Sequence, residues 1–216
     1  MVAVFIMEKT ITELEVQKKD PNRINVYLND EFAFGISRFV GISLKRGDSI
    51  DEDSINRLII KDERERAFQR ALSYISYQPR SAQQVINKLT EVGFNQGTIE
   101  DVISELCEKQ YLDDKAYAHD WVASRVKSKP RSRQMLRFEL RDKRISEEFI
   151  EEAISTAPEN DELAFQLGKK YIHRFRRLDD KEFEKKMTGV FARRAFPFSV
   201  IKLVISKLIK IRNESN

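Results

Sequence analysis

The sequence predicts a mainly α protein, three tandem three-helix units behind a small N-terminal β-sheet or hairpin. Three observations lead there. Ile99, Val102, Ile103 and Leu106 recur 51 residues later as Ile150, Ala153, Ile154 and Ala157, and again as Ile201, Val204, Ile205 and Leu208. Each set is the i, i+3, i+4, i+7 stripe of one helix face. Leu89, Leu140 and Phe191 keep the same step, as do Phe94, Ile145 and Phe196, so the register holds through a preceding helix and turn. A fixed period of this length marks a helical repeat. Finally, two-residue alternation of apolar and polar positions is confined to the first 50 residues.

The elements follow in order. Residues 11–16 and then Ile24, Val26 and Leu28 alternate as strands do; Asn29-Asp30 is a turn, and Phe32, Phe34 and Ile36 resume the pattern. Residues 23–36 therefore read as a β-hairpin with 11–16 as a third strand. Residues 39–44 read as a short helix ending near Gly47, and 45–48 as a turn. Ile55, Leu58, Ile59, Ala67, Phe68, Ala71, Leu72 and Ile75 then line one side of a long helix stopped by Pro79.

Pro79-Arg80-Ser81 returns as Pro130-Arg131-Ser132, proline halting one helix and serine capping the next. Asn95 and Ser146 take the matching cap position for the third helix of their units, and Pro197 takes the helix start in the last. The divisions read are a β-rich region 1–50 and repeats 51–112, 113–158 and 159–216. The last repeat diverges most: its nearest acidic pair is Asp161-Glu162, and the connection before Asp179 is longer.

With 41% apolar residues and 14 Phe, the chain has the material for real cores. No apolar run approaches the roughly 18 residues of a membrane span. The opening stretch 2–6 is too short and lacks the basic start of a signal peptide. The expectation is a cytoplasmic monomer without a membrane partner. Cys107, the only cysteine, reads as a small buried thiol beside Leu106. The net charge of +4 hides a segregation: 125–144 carries +7 and 164–212 carries +10, which leaves −13 elsewhere. Such a difference points to a polyanion or an acidic protein surface as partner.

A search for chemistry returns little. His119 and His173 lie in no metal-ligand spacing, no glycine-rich phosphate loop is present, and no G-x-S-x-G elbow exists. The carboxylate pairs Asp62-Glu63 and Asp113-Asp114, also 51 apart, read as capping and dipole residues where a first helix begins or turns. Neither catalysis nor a cofactor or metal is expected. The basic stretches remain. Arg133, Arg137, Arg141 and Arg144 form one guanidinium stripe opposite Leu136 and Leu140, with charge reversal there expected to spare the core. Lys185 and Lys186 on the equivalent helix of the last unit, with Arg193 and Arg194 at its end, extend that surface. Arg131, Arg174 and Arg177 complete the candidate contact set. Trp121, Phe138, Tyr171 and Phe175 lie near it and read mainly as packing residues.

Ala71-Leu72 through Pro79-Arg80-Ser81, Tyr111-Leu112-Asp113-Asp114, Tyr117-Ala118, Trp121-Val122 and Phe191-Ala192-Arg193-Arg194-Ala195-Phe196 together resemble the RecX family, regulators of the bacterial recombinase RecA. The resemblance runs from about residue 62 to 208, and the strand region resembles an extension carried by some members. Members often carry glycine at the positions of Arg144 and Ala195. The resemblance implies a non-enzymatic modulator, an inhibitor in most members. It would dock in the groove of the RecA filament on single-stranded DNA and limit filament growth, ATPase and strand exchange. Weak direct DNA binding is compatible with the same cations. The rival readings are a helical-repeat DNA-binding protein acting without RecA, told apart by binding to naked DNA, and a scaffold that uses the repeat's apolar edges.

Overall fold

The computed structural model describes residues 8–214, so the apolar opening stretch 2–6 lies outside the described residues. Strands β1 (Lys9–Val16), β2 (Arg23–Leu28), β3 (Glu31–Ser37) and β4 (Ser49–Ile50) form an antiparallel sheet in the order β3-β2-β1-β4. Nine α-helices follow among the described residues: α1 (Glu52–Ser76), α2 (Ala82–Val92), α3 (Gln96–Glu108), α4 (Asp114–Ser128), α5 (Arg133–Asp142), α6 (Glu147–Ser155), α7 (Asn160–Ile172), α8 (Asp180–Ala192) and α9 (Phe198–Glu214). A 3-10 turn, His173–Phe175, leads out of α7. The chain divides into two units, Met1–Gln78 with Val85–Tyr111, and Pro79–Gln84 with Leu112–Asn216.

In the first unit, Asn29 and Asp30 both adopt positive φ, 50° and 68°. This is the pair of left-handed residues that a two-residue hairpin turn between twisted strands requires. Ile24, Val26, Leu28 and Ile36 bury one face, and Ile11, Val40, Ile50 and Ile55 complete the cluster. Residues 39–44 are successive turns rather than a helix. The Gly41 N–H donates to Ser37 O and the Leu44 N–H to Gly41 O, folding Val40 into the core. A Cβ on Gly41 would meet Ile24 Cδ1 at 2.6 Å and Ile36 Cδ1 at 3.1 Å, so a larger residue here would have to displace core side chains. Strand β4, only two residues long at the sheet edge, is too short to show a two-residue period in the sequence.

Helix α1 is capped by Asp51, whose side chain accepts from the Ser54 N–H. Asp62 lies in mid-helix and is buried, so the capping expected of it fails. It accepts instead from the Ser37 N–H at 2.6 Å and from Arg23 Nη2 at 3.1 Å, tying α1 to the end of β3. Glu63 accepts from the backbone and side chain of Asn95. Ile55, Ala67 and Ala71 are buried as the pattern requires, whereas Ile59 is exposed. On α3, Ile99, Val102 and Leu106 are buried and Ile103 half-buried. Cys107, one step past Leu106, is exposed, which corrects the buried-thiol reading.

Helices α4 to α9 belong to the second unit. Asp113 caps α4 through the Ala116 N–H, Ser132 caps α5 through Met135, and Ser146 caps α6 through Phe149. The Pro197 carbonyl accepts from the Ile201 N–H, so Pro197 stands at the cap position just before α9. One core gathers Tyr117, Val122, Leu136, Leu140, Ile150 and Ile154; the other gathers Leu163, Phe183, Met187, Phe191, Ile201 and Leu208. Val126 packs against both. The equivalent residues Ile99, Ile150 and Ile201 are all buried. Ala157 is buried too, but beyond the end of α6.

The exit from the second helix is identical in all three repeats. Phe94, Ile145 and Phe196 N–H groups donate to Leu89, Leu140 and Phe191 O at 3.3, 3.2 and 3.3 Å. Gly93, Arg144 and Ala195 N–H groups donate to Thr90, Arg141 and Ala192 O at 3.0, 2.9 and 3.0 Å. These are the two bonds of a left-handed C-terminal cap. Gly93 has φ +96°, and Arg144 and Ala195 hold +59° and +57° without glycine's freedom. A side chain in this region costs about 1–2 kcal/mol. After glycine's greater unfolded-state entropy is subtracted, Ala195→Gly should stabilise the protein by about 0.5–1 kcal/mol. A thermal melt measures this; an unchanged or lower midpoint would show that the left-handed turn carries no strain.

Candidate functional site

The guanidinium stripe on α5 exists, but a matching stripe of carboxylates covers most of it. Glu147 and Glu151 are four apart on α6, and α6 packs against α5. Arg141 Nε and Nη2 donate to the two Glu147 oxygens at 2.6 and 2.8 Å. Arg137 does the same to Glu151, also at 2.6 and 2.8 Å. Arg133 bonds Glu159 Oε1 at 2.5 Å and Ala157 O at 2.7 Å. Arg131 pairs with Glu139, which also accepts from Arg125 Nε and Trp121 Nε1, each at 2.8 Å. Arg144 lies past the helix, exposed, in the cap turn.

The last repeat differs. Arg194 is internal: it donates to Val190 O and Tyr171 Oη, and its carbonyl accepts from the Ser132 N–H. Arg174, Arg177, Lys185, Lys186 and Arg193 are exposed, and none is held in an ion pair among the described residues. Arg176, missed in the sequence reading, stands exposed between Arg174 and Arg177 in the seven residues that join α7 to α8. The eleven candidates thus separate into Arg131, Arg133, Arg137, Arg141 and Arg194, engaged within the unit, and six that face solvent.

Aromatic neighbours sort similarly. Trp121 is half-buried, with Arg125 Cζ and Lys143 Nζ at 4.1 and 4.2 Å from its ring centre. Tyr171 and Phe175 stack on each other at 5.7 Å, while Phe138 is exposed. Among the carboxylates, Asp113 caps α4, and Asp114 accepts from the Ala82 N–H, with burial pushing its carboxyl above the usual range. His119 Nε2 lies 3.7 Å from Glu152, which also pairs with Lys115. Among the described residues no group of three or more His, Cys, Asp and Glu is placed to hold a metal ion. No helix there is long and apolar enough to cross a membrane.

The bidentate bonds have a consequence in pH. The hydrogen bond from Arg141 holds the Glu147 carboxyl below the ordinary glutamate range, and that from Arg137 holds Glu151 below it. A carboxylate whose folded value is depressed contributes stability above its unfolded value and loses it as pH falls through the folded one. The pairs are therefore intact at neutral pH and fail in acid. Arg137→Glu should lower the melting temperature by about 2–4 °C at pH 7, and adding Glu151→Arg should restore it. Equal melting temperatures for the single and double variants would mean that the pair carries no stability.

Residues 9–51 match the family model described as "Regulatory protein RecX N-terminal domain", 67–106 that of "RecX, first three-helix domain", and 113–154 that of "RecX, second three-helix domain". The chain is 30% identical to "Regulatory protein RecX" of Bacillus subtilis strain 168 over 202 residues, covering 92% of this chain and 76% of that protein. It is 29% identical to the protein of the same name from Limosilactobacillus reuteri strain DSM 20016, with the same coverage of 92% and 76%. A crystal structure of regulatory protein RecX superposes with a TM-score of 0.68 at 29% identity, over 91% of this chain and 98% of that one. RecX from Lactobacillus salivarius shares the fold, with a TM-score of 0.58 at 22% identity over 68% and 97% of the two chains. The β-rich region is thus itself a family domain, and the chain belongs to the RecX family of regulatory proteins.

Proposed function

We propose that this protein restrains the RecA recombinase by binding its filament on single-stranded DNA, limiting filament growth, ATPase and strand exchange without catalysis of its own. It works in the cytoplasm, as a monomer, with at most weak affinity for DNA alone. Membership of the RecX family supports the choice of partner. The single observation that supports the contact surface is the set of exposed cations on α8 and at its two ends, none of which is held in an ion pair among the described residues.

The proposed contact is centred on Arg174, Arg177, Lys185, Lys186 and Arg193, with Arg144 at its edge. Arg137 and Arg141 serve chiefly to hold α5 on α6, and Arg133 ties the start of α5 to Ala157 and Glu159 beyond it. A filament of protein and DNA offers both phosphate and acidic side chains, and solvent-facing cations gain most from either. The interaction then weakens as salt rises.

The test is RecA ATPase on single-stranded DNA with graded amounts of protein at two salt concentrations. Wild type should inhibit in proportion to dose and less well at high salt. Lys185→Glu/Lys186→Glu/Arg193→Glu should need about tenfold more protein, since losing two or three charge-assisted contacts exceeds 1.4 kcal/mol. An equally inhibitory, folded triple variant would remove these cations from the contact. Comparable affinity for naked single-stranded DNA and for the filament would favour a DNA-binding protein that acts without RecA.

A further inference from the structure

Three arginines outside both basic segments are brought to one cleft in the first unit. Asp62 on α1 binds the Ser37 N–H at 2.6 Å, which fixes the end of β3 and hence Arg38 and Phe39 against that helix face. Arg66 and Arg70 lie one and two turns further along the same face. Together they border a cleft of about 740 Å³ that Gln69 and Phe94 also line, a volume in the range of small-ligand sites.

The groups around the cleft are of two kinds. Arg23 is occupied, bonded to Asp62 and to Gly35 O at 2.7 Å. Arg38, Arg66 and Arg70 are exposed, and none is in an ion pair among the described residues. Arg66 Cζ stands 5.8 Å from the Phe94 ring centre. Phe39, which also lines the cleft, is 67% exposed and so has a ring face open to a ligand. Of the lining carboxylates, Asp20 accepts from the Asn22 N–H and Glu65 from the Gln69 amide.

We propose that this cleft binds a nucleotide, with its phosphate on the guanidinium groups of Arg38, Arg66 and Arg70 and its base against Phe39. Planar guanidinium forks match phosphate oxygens bidentately. An exposed aromatic ring beside them stacks on a base. An acidic peptide would bring its carboxylates toward Asp20 and Glu65, and inorganic phosphate would leave Phe39 idle. The nucleotide is either a free nucleoside phosphate or one unit of a single strand. This site is independent of the α8 cations and of RecA.

The experiment uses the full chain and two fluorescent probes followed by anisotropy, labelled adenosine triphosphate and a labelled short oligothymidylate. Arg66→Ala/Arg70→Ala should weaken binding about tenfold or more, and Phe39→Ala about fivefold, with unchanged melting temperature because these side chains are exposed. Triphosphate binding assigns the site to free nucleotides; oligothymidylate binding alone, sensitive to the double variant, assigns it to a strand. The inference is overturned if neither probe binds in the millimolar range or if the double variant binds as wild type does. It is equally overturned if inorganic phosphate or oligoglutamate displaces the label as well as unlabelled nucleotide does.

Discussion

Each repeat depends on the reversal of chain direction at the end of its second helix. The carbonyl of a buried residue, Leu89, Leu140 or Phe191, is caught by the N–H five residues on, across a residue forced into left-handed backbone. That bond sets where the third helix starts, and so which face it turns to the first. With the exit fixed, Ile99, Ile150 and Ile201 become buried in equivalent positions. Phe191 and Phe196 show the apolar side of the same turn, their rings meeting edge to face at 5.8 Å. Arg144 and Ala195 hold this backbone without glycine, so packing around the turn outweighs its local cost.

The same turns decide which charges face solvent. Bringing α6 back along α5 lays Glu147 and Glu151 against Arg141 and Arg137, with Glu159 at the far end meeting Arg133. A strongly basic helix is thereby largely neutralised within its own unit. Helix α8 differs: α9, which packs against it, carries Lys202, Lys207 and Lys210 and pairs its Arg212 with Asp180, while Lys185, Lys186 and Arg193 enter no ion pair among the described residues, Glu182 and Glu184 of α8 included. Positive charge on the last repeat therefore remains available for long-range attraction of an anionic partner.

Much of this was legible in the sequence because it is written in periods and caps. The helical stripes, the serine caps after Pro79 and Pro130, and the Asn29-Asp30 turn each rest on local chemistry that a linear reading captures. What escaped depends on pairing across distance. Asp62 looked like a cap, but it is a buried acceptor for Ser37, 25 residues away in sequence. Arg137 and Arg141 looked unengaged because their partners lie 14 and 6 residues on, beyond a turn whose geometry period alone does not fix. Residues 39–44 have helix-like apolar spacing but close on the sheet through Gly41, and Cys107 sits one residue past a buried stripe. The family was legible because its motifs mark those same core and capping positions.

On the function proposed above, the exposed cations of the last repeat, rather than the paired arginines of α5, meet the recombinase filament. Hydrogen–deuterium exchange of the protein alone and bound to RecA on single-stranded DNA tests it most directly, because protection can be read for each peptide. Protection over 173–186 and at the end of α8, with the exchange of α5 and α6 unchanged, is the predicted result. Protection centred on α5 and α6, with the last repeat exchanging as in the unbound protein, would contradict it.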